Sequence, residues 1–201
     1  MQFRVAIHGA AGRMGQRLVA CAAADPEVQL IAAIDAPQCP KLGQDSGLVA
    51  GIGPNEIPIT SDWTGRCDAV IDFSSPEGAK AALQLCIEHR LPLVMATTGL
   101  TPEFIEELHA AAHEIPILTA PNMSTSVNLA IYLSQVAARV MQQVGMETDV
   151  EIVERHHRMK HDAPSGTALK FGEVIAKELK LTHSVHGRHG MVGPRPMNEI
   201  G

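Results

Sequence analysis

In the first part of the chain, short apolar runs alternate with segments in which apolar residues recur at helical spacing. Residues Phe3–His8 form a mostly apolar run, which is typical of a strand buried on both faces of a parallel sheet. After a short glycine-rich stretch, apolar side chains beginning with Met14 recur at helical spacing until Asp25-Pro26 ends the pattern. A second apolar run over residues 29–34 predicts another strand. The pattern therefore predicts a strand, a turn, a helix and a second strand.

The same alternation of short apolar runs with helical segments continues to residue 119. Strands that alternate with helices at short separations imply βαβ crossovers, and hence an α/β fold with a doubly wound, Rossmann-like parallel sheet. Such a sheet binds ligands at the carboxyl ends of its strands. The remaining elements predicted here are strands over residues 69–73, 92–96 and 115–119, and helices over Pro76–His89 and residues 101–113.

Two segments depart from this rhythm. Residues 36–58 are rich in proline and glycine and poor in periodic apolar positions, so we predict a long irregular loop that borders the ligand cleft. Beyond Thr125 the pattern predicts a long helix over residues 126–143, a strand over residues 149–154, a polar loop and a further helix. We therefore predict a dinucleotide-binding domain over residues 1–125 and a smaller α+β substrate and oligomerisation domain over residues 126–201.

The glycine-rich turn GAAGRMG joins the first predicted strand to the first predicted helix. Gly9 permits a tight turn, Gly12 lets the backbone approach a pyrophosphate, and Gly15 lets the helix pack against the sheet. Asp35 follows the second strand about 20 residues on, where a carboxylate accepts hydrogen bonds from the adenosine ribose. A glycine-rich turn can also simply connect two elements. Its position between a strand and a helix, with Asp35 after the next strand, favours dinucleotide binding. The candidate cofactor residues of this region are Gly9, Ala10, Ala11, Gly12, Arg13, Met14, Gly15 and Asp35.

The residues that follow Asp35 bear on the choice between NADH and NADPH. Ala36 and Pro37 come next, rather than an arginine that could pair with a 2′-phosphate. We therefore expect NADH to be at least as acceptable as NADPH. Lys41 and Arg13 are near in sequence and could still bind that phosphate, so the preference is a hypothesis.

A second group of candidate residues lies between Glu154 and Ala168, in the run ERHHRMKHDAPSGTA. A histidine exchanges protons near neutrality and an ammonium can hold a carboxylate, so His156 and Lys160 are candidates for acid/base work. The segment Ser165-Gly166-Thr167 opens the last predicted helix, whose N–H groups can bind a substrate carboxylate. The alternative is that Asp162 and Ser165 only cap a helix beside a solvated histidine loop.

A metal site is not predicted. The chain has 10 histidines, including His183, His186 and His189 at three-residue intervals. However, the adjacent His156 and His157 cannot readily share one metal ion, and no neighbouring cysteine or HExxH helix completes a ligand set. We interpret the three later histidines as loop residues.

Composition restricts the partners and the compartment. The net charge of −6 comes from scattered residues without a basic run, so no nucleic acid partner is expected. The 4 cysteines lie far apart, which favours reduced thiols. The N-terminus lacks the features of a secretory signal, and no segment approaches the length of a membrane span. These features predict a cytoplasmic protein with no membrane partner.

Five motifs together resemble one enzyme family. GAAGRMG at Gly9, DFSSPEG at Asp72, ATTG at Ala96, APNMS at Ala120 and the run that begins at Glu154 occur along essentially the whole chain. Their sequence and order are similar to those of the dihydrodipicolinate reductase family. The resemblance implies NADH- or NADPH-dependent hydride transfer to a cyclic, unsaturated dicarboxylate in lysine and diaminopimelate biosynthesis.

The resemblance also implies roles for particular residues. It implies that His156 donates or accepts a proton, that Lys160 donates one, and that His157, Gly166 and Thr167 bind a substrate carboxylate. Ser165 is a further candidate for substrate binding from its place at the helix start. The additional cofactor-binding residues that it implies, near the nicotinamide, are Ala96, Thr97, Thr98, Ala120, Pro121, Asn122 and Met123.

Members of that family are longer than 201 residues, so we expect the second domain to be truncated at its C-terminal end. They are generally tetramers, which implies a homo-oligomer here. Three alternatives stay open: another two-domain dehydrogenase of amino-acid-related substrates, a protein that binds dinucleotide without turnover, and a structural subunit in which the motifs are incidental.

Overall fold

The computed structural model describes residues 2–63, 65–120, 122–158, 160, 162–187 and 189–191. The chain divides into two compact units, Met1–Ala120 and Pro121–Gly201. No helix within the described ranges is both long enough and apolar enough to cross a membrane. All 4 cysteines are free thiols.

The first unit is a parallel sheet of 6 strands in the order β3-β2-β1-β4-β5-β6, with helices in the connections. Every pairing in the sheet is parallel, which confirms the doubly wound fold. The strand order reverses between β1 and β4, and this is the place where such sheets bind ligands. The strands are β1 Phe3–His8, β2 Val28–Ile34, β3 Ile59–Thr60, β4 Ala69–Asp72, β5 Leu93–Met95 and β6 Ile117–Thr119, and the helices are α1 Arg13–Ala24, α2 Ser46–Ala50, α3 Pro76–His89 and α4 Pro102–Ala111.

The core of this unit has one layer on each side of the sheet. On one side Ile7 of β1 packs with Val19 of α1. On the other side Ala6 belongs to the cluster that contains Leu83 of α3 and Phe104 of α4. Burying one large apolar side chain fully is worth about 1.5–3 kcal/mol. Burial on both sides explains why β1 is an almost continuous apolar run.

Two sequence predictions for this unit are wrong. Residues 36–58 are not wholly irregular, because α2 lies within them, and β3 directly after them was not predicted. The Asp45 side chain accepts hydrogen bonds from the amides of Leu48, at 2.9 Å, and Glu56, at 2.7 Å, so side chains order this segment without a periodic pattern. Met14, which the helical spacing predicts on the apolar face of α1, is 51% exposed.

The second unit contains helices α5 Thr125–Gln143 and α6 Gly166–Leu179 and a short antiparallel pair of strands, β7 Asp162–Ala163 and β8 Gly190–Met191. Both helices agree with the sequence prediction. The strand predicted over residues 149–154 is wrong, because these residues have no regular structure. A strand requires a partner for its backbone groups, and none of the described segments pairs with this one.

Glu178 of α6 links the two helices of this unit. Its carboxylate accepts hydrogen bonds from Gln135 at 2.7 Å and from Arg139 at 2.8 Å, both on α5. Arg139 is the main reason that the pKa of Glu178 falls from its ordinary 4.5 to about 2, and Gln135 adds to the effect.

We expect Glu178→Gln to lower the thermal unfolding midpoint at pH 7. The lowered pKa means that this carboxylate stabilises the fold above about pH 4.5, and that the contribution is lost as the pH falls towards 2. The difference between variant and parent, followed by circular dichroism, should therefore narrow below pH 4.5. A difference that stays constant from pH 7 to pH 3 would contradict this assignment.

Candidate active site

The glycine turn lies at the switch point of the sheet, directly after β1. Gly9 has a φ of 80°, and a Cβ there would lie 2.5 Å from the carbonyl oxygen of Phe73, which follows β4. A Cβ on Gly15 would overlap the carbonyl oxygen of Gly9 and lie 2.6 Å from Cα of Ala10. Both positions therefore require glycine, because the segment after β4 leaves no room for a side chain at Gly9 and the turn itself leaves none at Gly15.

Helix α1 begins beside this turn with its first amides available. Gly12 is the N-cap and has no side chain to accept a hydrogen bond from them. The Gly12 amide donates to the carbonyl oxygen of Gly9 at 3.0 Å, whereas Arg13 and Met14 are exposed, so among the described residues an anion could reach the N–H groups of these two. Ala10, by contrast, is buried and serves as packing.

Asp35 lies next to the turn, at the end of β2. One of its carboxylate oxygens accepts the amide of Ala11 at 2.8 Å, and the other accepts the amide of Ala36 at 2.9 Å. Each oxygen keeps a further lone pair for a hydroxyl donor. The Lys41 ammonium donates to the carbonyl oxygen of Ala11 at 3.3 Å, which places a positive charge on the same turn.

A buried hydrogen-bond network joins the ends of β1, β4 and β5. Asp72, which is fully buried, accepts His8 Nδ1 at 2.7 Å, the Ser74 hydroxyl at 2.6 Å and the Thr97 hydroxyl at 2.5 Å. The Ser74 amide in turn donates to the Thr97 hydroxyl at 2.9 Å. The sequence analysis missed His8, Asp72 and Ser74 as site residues, because the members of the network lie far apart in sequence.

The residues that follow β5 and β6 differ in what they expose. The hydroxyl of Thr97 donates to Asp72 within the buried network, and Ala96 is buried. Thr98, by contrast, is exposed. Ala120 follows β6 and is half-buried. Pro121, also among the candidate cofactor residues, lies outside the described residues.

In the second unit, Asn122 and the start of α6 are in direct contact. The Asn122 side chain donates to the Thr167 hydroxyl at 3.1 Å, while Met123 is 37% exposed. Ser165 is the N-cap of α6, and its hydroxyl accepts the amide of Ala168 at 3.1 Å. Gly166 is exposed, and within the part of the chain that the structure describes a Cβ there would meet no atom within 4 Å.

The histidine segment lies close to this helix start. His156 Nε2 is 2.8 Å from the carboxylate of Glu154, and that carboxylate also accepts the amide of Ser165 at 2.7 Å. An open groove of about 1010 Å³ in this unit is lined by His156, His157 and Lys160. Gly166 and Thr167 are not among its lining residues. Glu154 is a further residue that sequence analysis did not single out, although it lies in the same motif.

The sheet order and the glycine turn define a Rossmann-type dinucleotide-binding protein. Comparison with known proteins narrows this class. The family models for the N-terminal and C-terminal parts of dihydrodipicolinate reductase match residues 3–123 and 126–201. The chain therefore belongs to the dihydrodipicolinate reductase family, a family of NAD(P)-binding oxidoreductases.

Relatives and a solved structure agree with this assignment. The 4-hydroxy-tetrahydrodipicolinate reductase of Rhodopirellula baltica is 50% identical over 97% of this chain and 72% of its own length. The enzyme of the same name from Methylococcus capsulatus is 45% identical over 100% of this chain and 76% of its own length. The structure of a dipicolinate-bound dihydrodipicolinate reductase from Paenisporosarcina sp. TG-14 superimposes with a TM-score of 0.67 at 26% identity, over 94% of this chain and 71% of that one.

Proposed function

We propose that this chain is a 4-hydroxy-tetrahydrodipicolinate reductase that uses NADH or NADPH. The observation that carries the proposal is the association of His156, His157 and Lys160 along one groove, in a chain of the dihydrodipicolinate reductase family. The first unit would hold the cofactor and the second would bind the dicarboxylate and move protons.

The residues of the first unit fit a dinucleotide. The close packing around Gly9 and Gly15 leaves no side chain in the turn, and the exposed first amides of α1 suit a pyrophosphate. The carboxylate of Asp35 suits the ribose hydroxyls. The reduced nicotinamide, when bound, supplies the hydride. Thr98 is the exposed member of its segment, so in this proposal it contributes side-chain contacts there, whereas Thr97 contributes through the buried network.

The residues of the second unit fit a dicarboxylate. The amides of Gly166 and Thr167 at the start of α6 and the ammonium of Lys160 are suited to a substrate carboxylate. The imidazole of His157, which is exposed, adds a donor. The Paenisporosarcina relative is described as dipicolinate-bound, and a dicarboxylate fits this set of donors.

Proton transfer falls to His156 and Lys160. Hydride addition to a conjugated imine builds negative charge on the substrate, which a proton must neutralise. A protonated imidazole or ammonium supplies that proton and stabilises the charge before transfer. The ring of His156 is held by Glu154, and we assign proton donation and acceptance to it. Lys160 lines the same groove and is assigned the role of a second donor.

The direct test measures absorbance of the reduced nicotinamide while a synthase generates the substrate in the presence of the purified protein. Substrate-dependent loss of the absorbance is expected. Cofactor binding without oxidation would favour a non-catalytic dinucleotide-binding protein. Oxidation driven only by other amino-acid-related substrates would favour a different dehydrogenase.

We further propose that NADH is used at least as well as NADPH, because the Asp35 carboxylate favours ribose hydroxyls and repels a 2′-phosphate. Lys41, tethered to Ala11, is the group that would offset this repulsion. Lys41→Gln is therefore expected to raise the KM for NADPH by about 10-fold and to change that for NADH much less. A parent protein that binds NADPH more tightly than NADH would contradict the preference, and equal effects of the variant on both cofactors would contradict the role of Lys41.

Gly166→Ala is expected to raise the KM for the dicarboxylate by about 10-fold without loss of stability. An added methyl group meets no atom of the described residues within 4 Å, so a ligand at the helix start is what it would collide with. The thermal midpoint and the KM for NADH serve as internal controls, and both should stay at the parent value. A normal KM for substrate would remove Gly166 from the site.

Self-association is also proposed. The exposed side of α5 carries large apolar residues that a partner copy could cover. Analytical ultracentrifugation should show a species larger than the monomer, and a monomer at all concentrations would contradict the proposal. These residues are Leu129, Tyr132, Leu133 and Val140, each more than half exposed.

A further inference from the structure

The carboxylate of Glu154 is shared by two parts of the candidate site. Its Oε1 accepts the amide of Ser165 at 2.7 Å, and its Oε2 accepts the Ser165 hydroxyl at 2.5 Å and His156 Nε2 at 2.8 Å. Ser165 is only 5% exposed. Because its oxygens already accept these donors, the carboxylate is suited to holding other residues rather than to binding a substrate.

The contact with Glu154 determines which nitrogen of His156 carries a proton in the neutral ring. A carboxylate only accepts hydrogen bonds, so the nitrogen 2.8 Å away from it, Nε2, must be protonated. Nδ1 is then the nitrogen that can exchange a proton with a substrate. The same relation between a carboxylate and an imidazole fixes the ring orientation in other enzymes that use histidine for proton transfer.

The contacts with Ser165 tie this histidine to α6. Ser165 caps the helix through its hydroxyl, which accepts the amide of Ala168 and donates to Glu154. Burial opposes the charge of Glu154, but the hydrogen bonds from Ser165 and His156 outweigh it and hold the pKa of Glu154 below its ordinary value. The carboxylate is therefore charged at neutral pH, and it accepts all of these donors together.

We propose that Glu154 is a positioning residue. It fixes the tautomer of His156 and holds the ring at a fixed position relative to the start of α6, where Gly166 and Thr167 lie. The proposal deepens the proposed function, since it rests on His156 as the proton-transferring group. Glu154 acts through His156 and Ser165 and touches no reacting atom.

The test replaces Glu154 with glutamine, which keeps the shape of the side chain but turns one acceptor into a donor. The kcat is expected to fall by roughly 10-fold or more, a part of the 10²-fold or larger contribution typical of a general acid. The KM for NADH should stay unchanged. Glu147→Gln is the matched control, because Glu147 is an exposed glutamate of the second unit that does not line the groove, so kcat should stay at the parent value.

A nitrogen-15 spectrum of the histidine rings supplies a readout that is independent of activity. The His156 signals, assigned by their loss in His156→Ala, should show protonated Nε2 in the parent protein and a changed nitrogen shift in Glu154→Gln. A parent ring protonated only on Nδ1 would overturn the proposal, even if the glutamine variant failed to fold. Parent-like kcat and ring signals in a folded Glu154→Gln would also overturn it. If the parent protein oxidises no cofactor, the proposed function fails. The spectrum still shows whether Nε2 of His156 is protonated, as its contact with Glu154 requires.

Discussion

Replacing His156 or Lys160 with alanine should reduce kcat by about 100-fold or more, while cofactor affinity changes little. The expected size is that of a lost general acid or base. Both residues lie in the second unit and line its groove, whereas the glycine turn, which we propose binds the dinucleotide, lies in the first unit. Steady-state kinetics with substrate generated in place would measure the loss, and fluorescence titration with NADH would measure the affinity.

Two controls separate this effect from a general loss of charge. His113→Ala removes an exposed histidine of the first unit, and Lys177→Ala removes an exposed lysine of α6. Both should turn over at the parent rate. Near-normal kcat in both His156→Ala and Lys160→Ala would refute their assignment as proton-transferring groups.

The second large effect is expected from Gly15→Ala. The new Cβ would overlap the carbonyl oxygen of Gly9 and lie 2.6 Å from Cα of Ala10, and neither backbone atom can move without shifting the turn. We expect a loss of about 3 kcal/mol, at the upper end of overpacking costs, and a fall in the thermal midpoint of about 10 °C. Affinity for NADH should fall in parallel, because the displaced turn carries the amides that we propose bind the cofactor.

Gly12→Ala is the comparison for this variant. A Cβ on Gly12 would approach the Gly9 carbonyl oxygen only to 3.2 Å, a contact that a small shift relieves. This variant should keep most of its stability and lose affinity for the cofactor, because the methyl group would lie where, in the proposed function, the pyrophosphate approaches. Equal thermal midpoints for Gly15→Ala and the parent would contradict the packing role of Gly15.

The elements that could be predicted are those with a strong local signal. The continuous apolar run of β1 and the serine-proline and threonine-proline starts of α3 and α4 each identify an element from its own residues. Helix α2 and strand β3 lack such a signal. They depend on hydrogen bonds that the Asp45 carboxylate accepts, one of them from the amide of Glu56, and on pairing of Ile59 with Ala33, and neither contact is visible in the residue pattern of one element.

The candidate site also contains residues that a local motif predicts and residues that it does not. The glycine turn, Asp35 and the histidine segment were found because each lies in a compact motif. The partners that orient them were missed: Asp72 lies 64 residues from His8, and Glu154 lies 11 residues from Ser165. The predicted strand over residues 149–154 failed for a related reason, since an alternating pattern indicates a pairing surface but cannot supply the partner strand.

The buried carboxylate of Asp72 constrains how this protein can vary between species. It neutralises no solvent-facing charge, yet it satisfies the side chains of His8, Ser74 and Thr97 at once. Exchanging Asp72 for an apolar residue would leave the buried side chains of His8 and Thr97 without this acceptor, a cost of about 1–3 kcal/mol for each, whereas the half-buried Ser74 hydroxyl also donates to the carbonyl oxygen of Ser75. Divergence at these positions is therefore expected to proceed by correlated replacements, and grafting a single member of the group from another homologue should be more harmful than grafting the whole set.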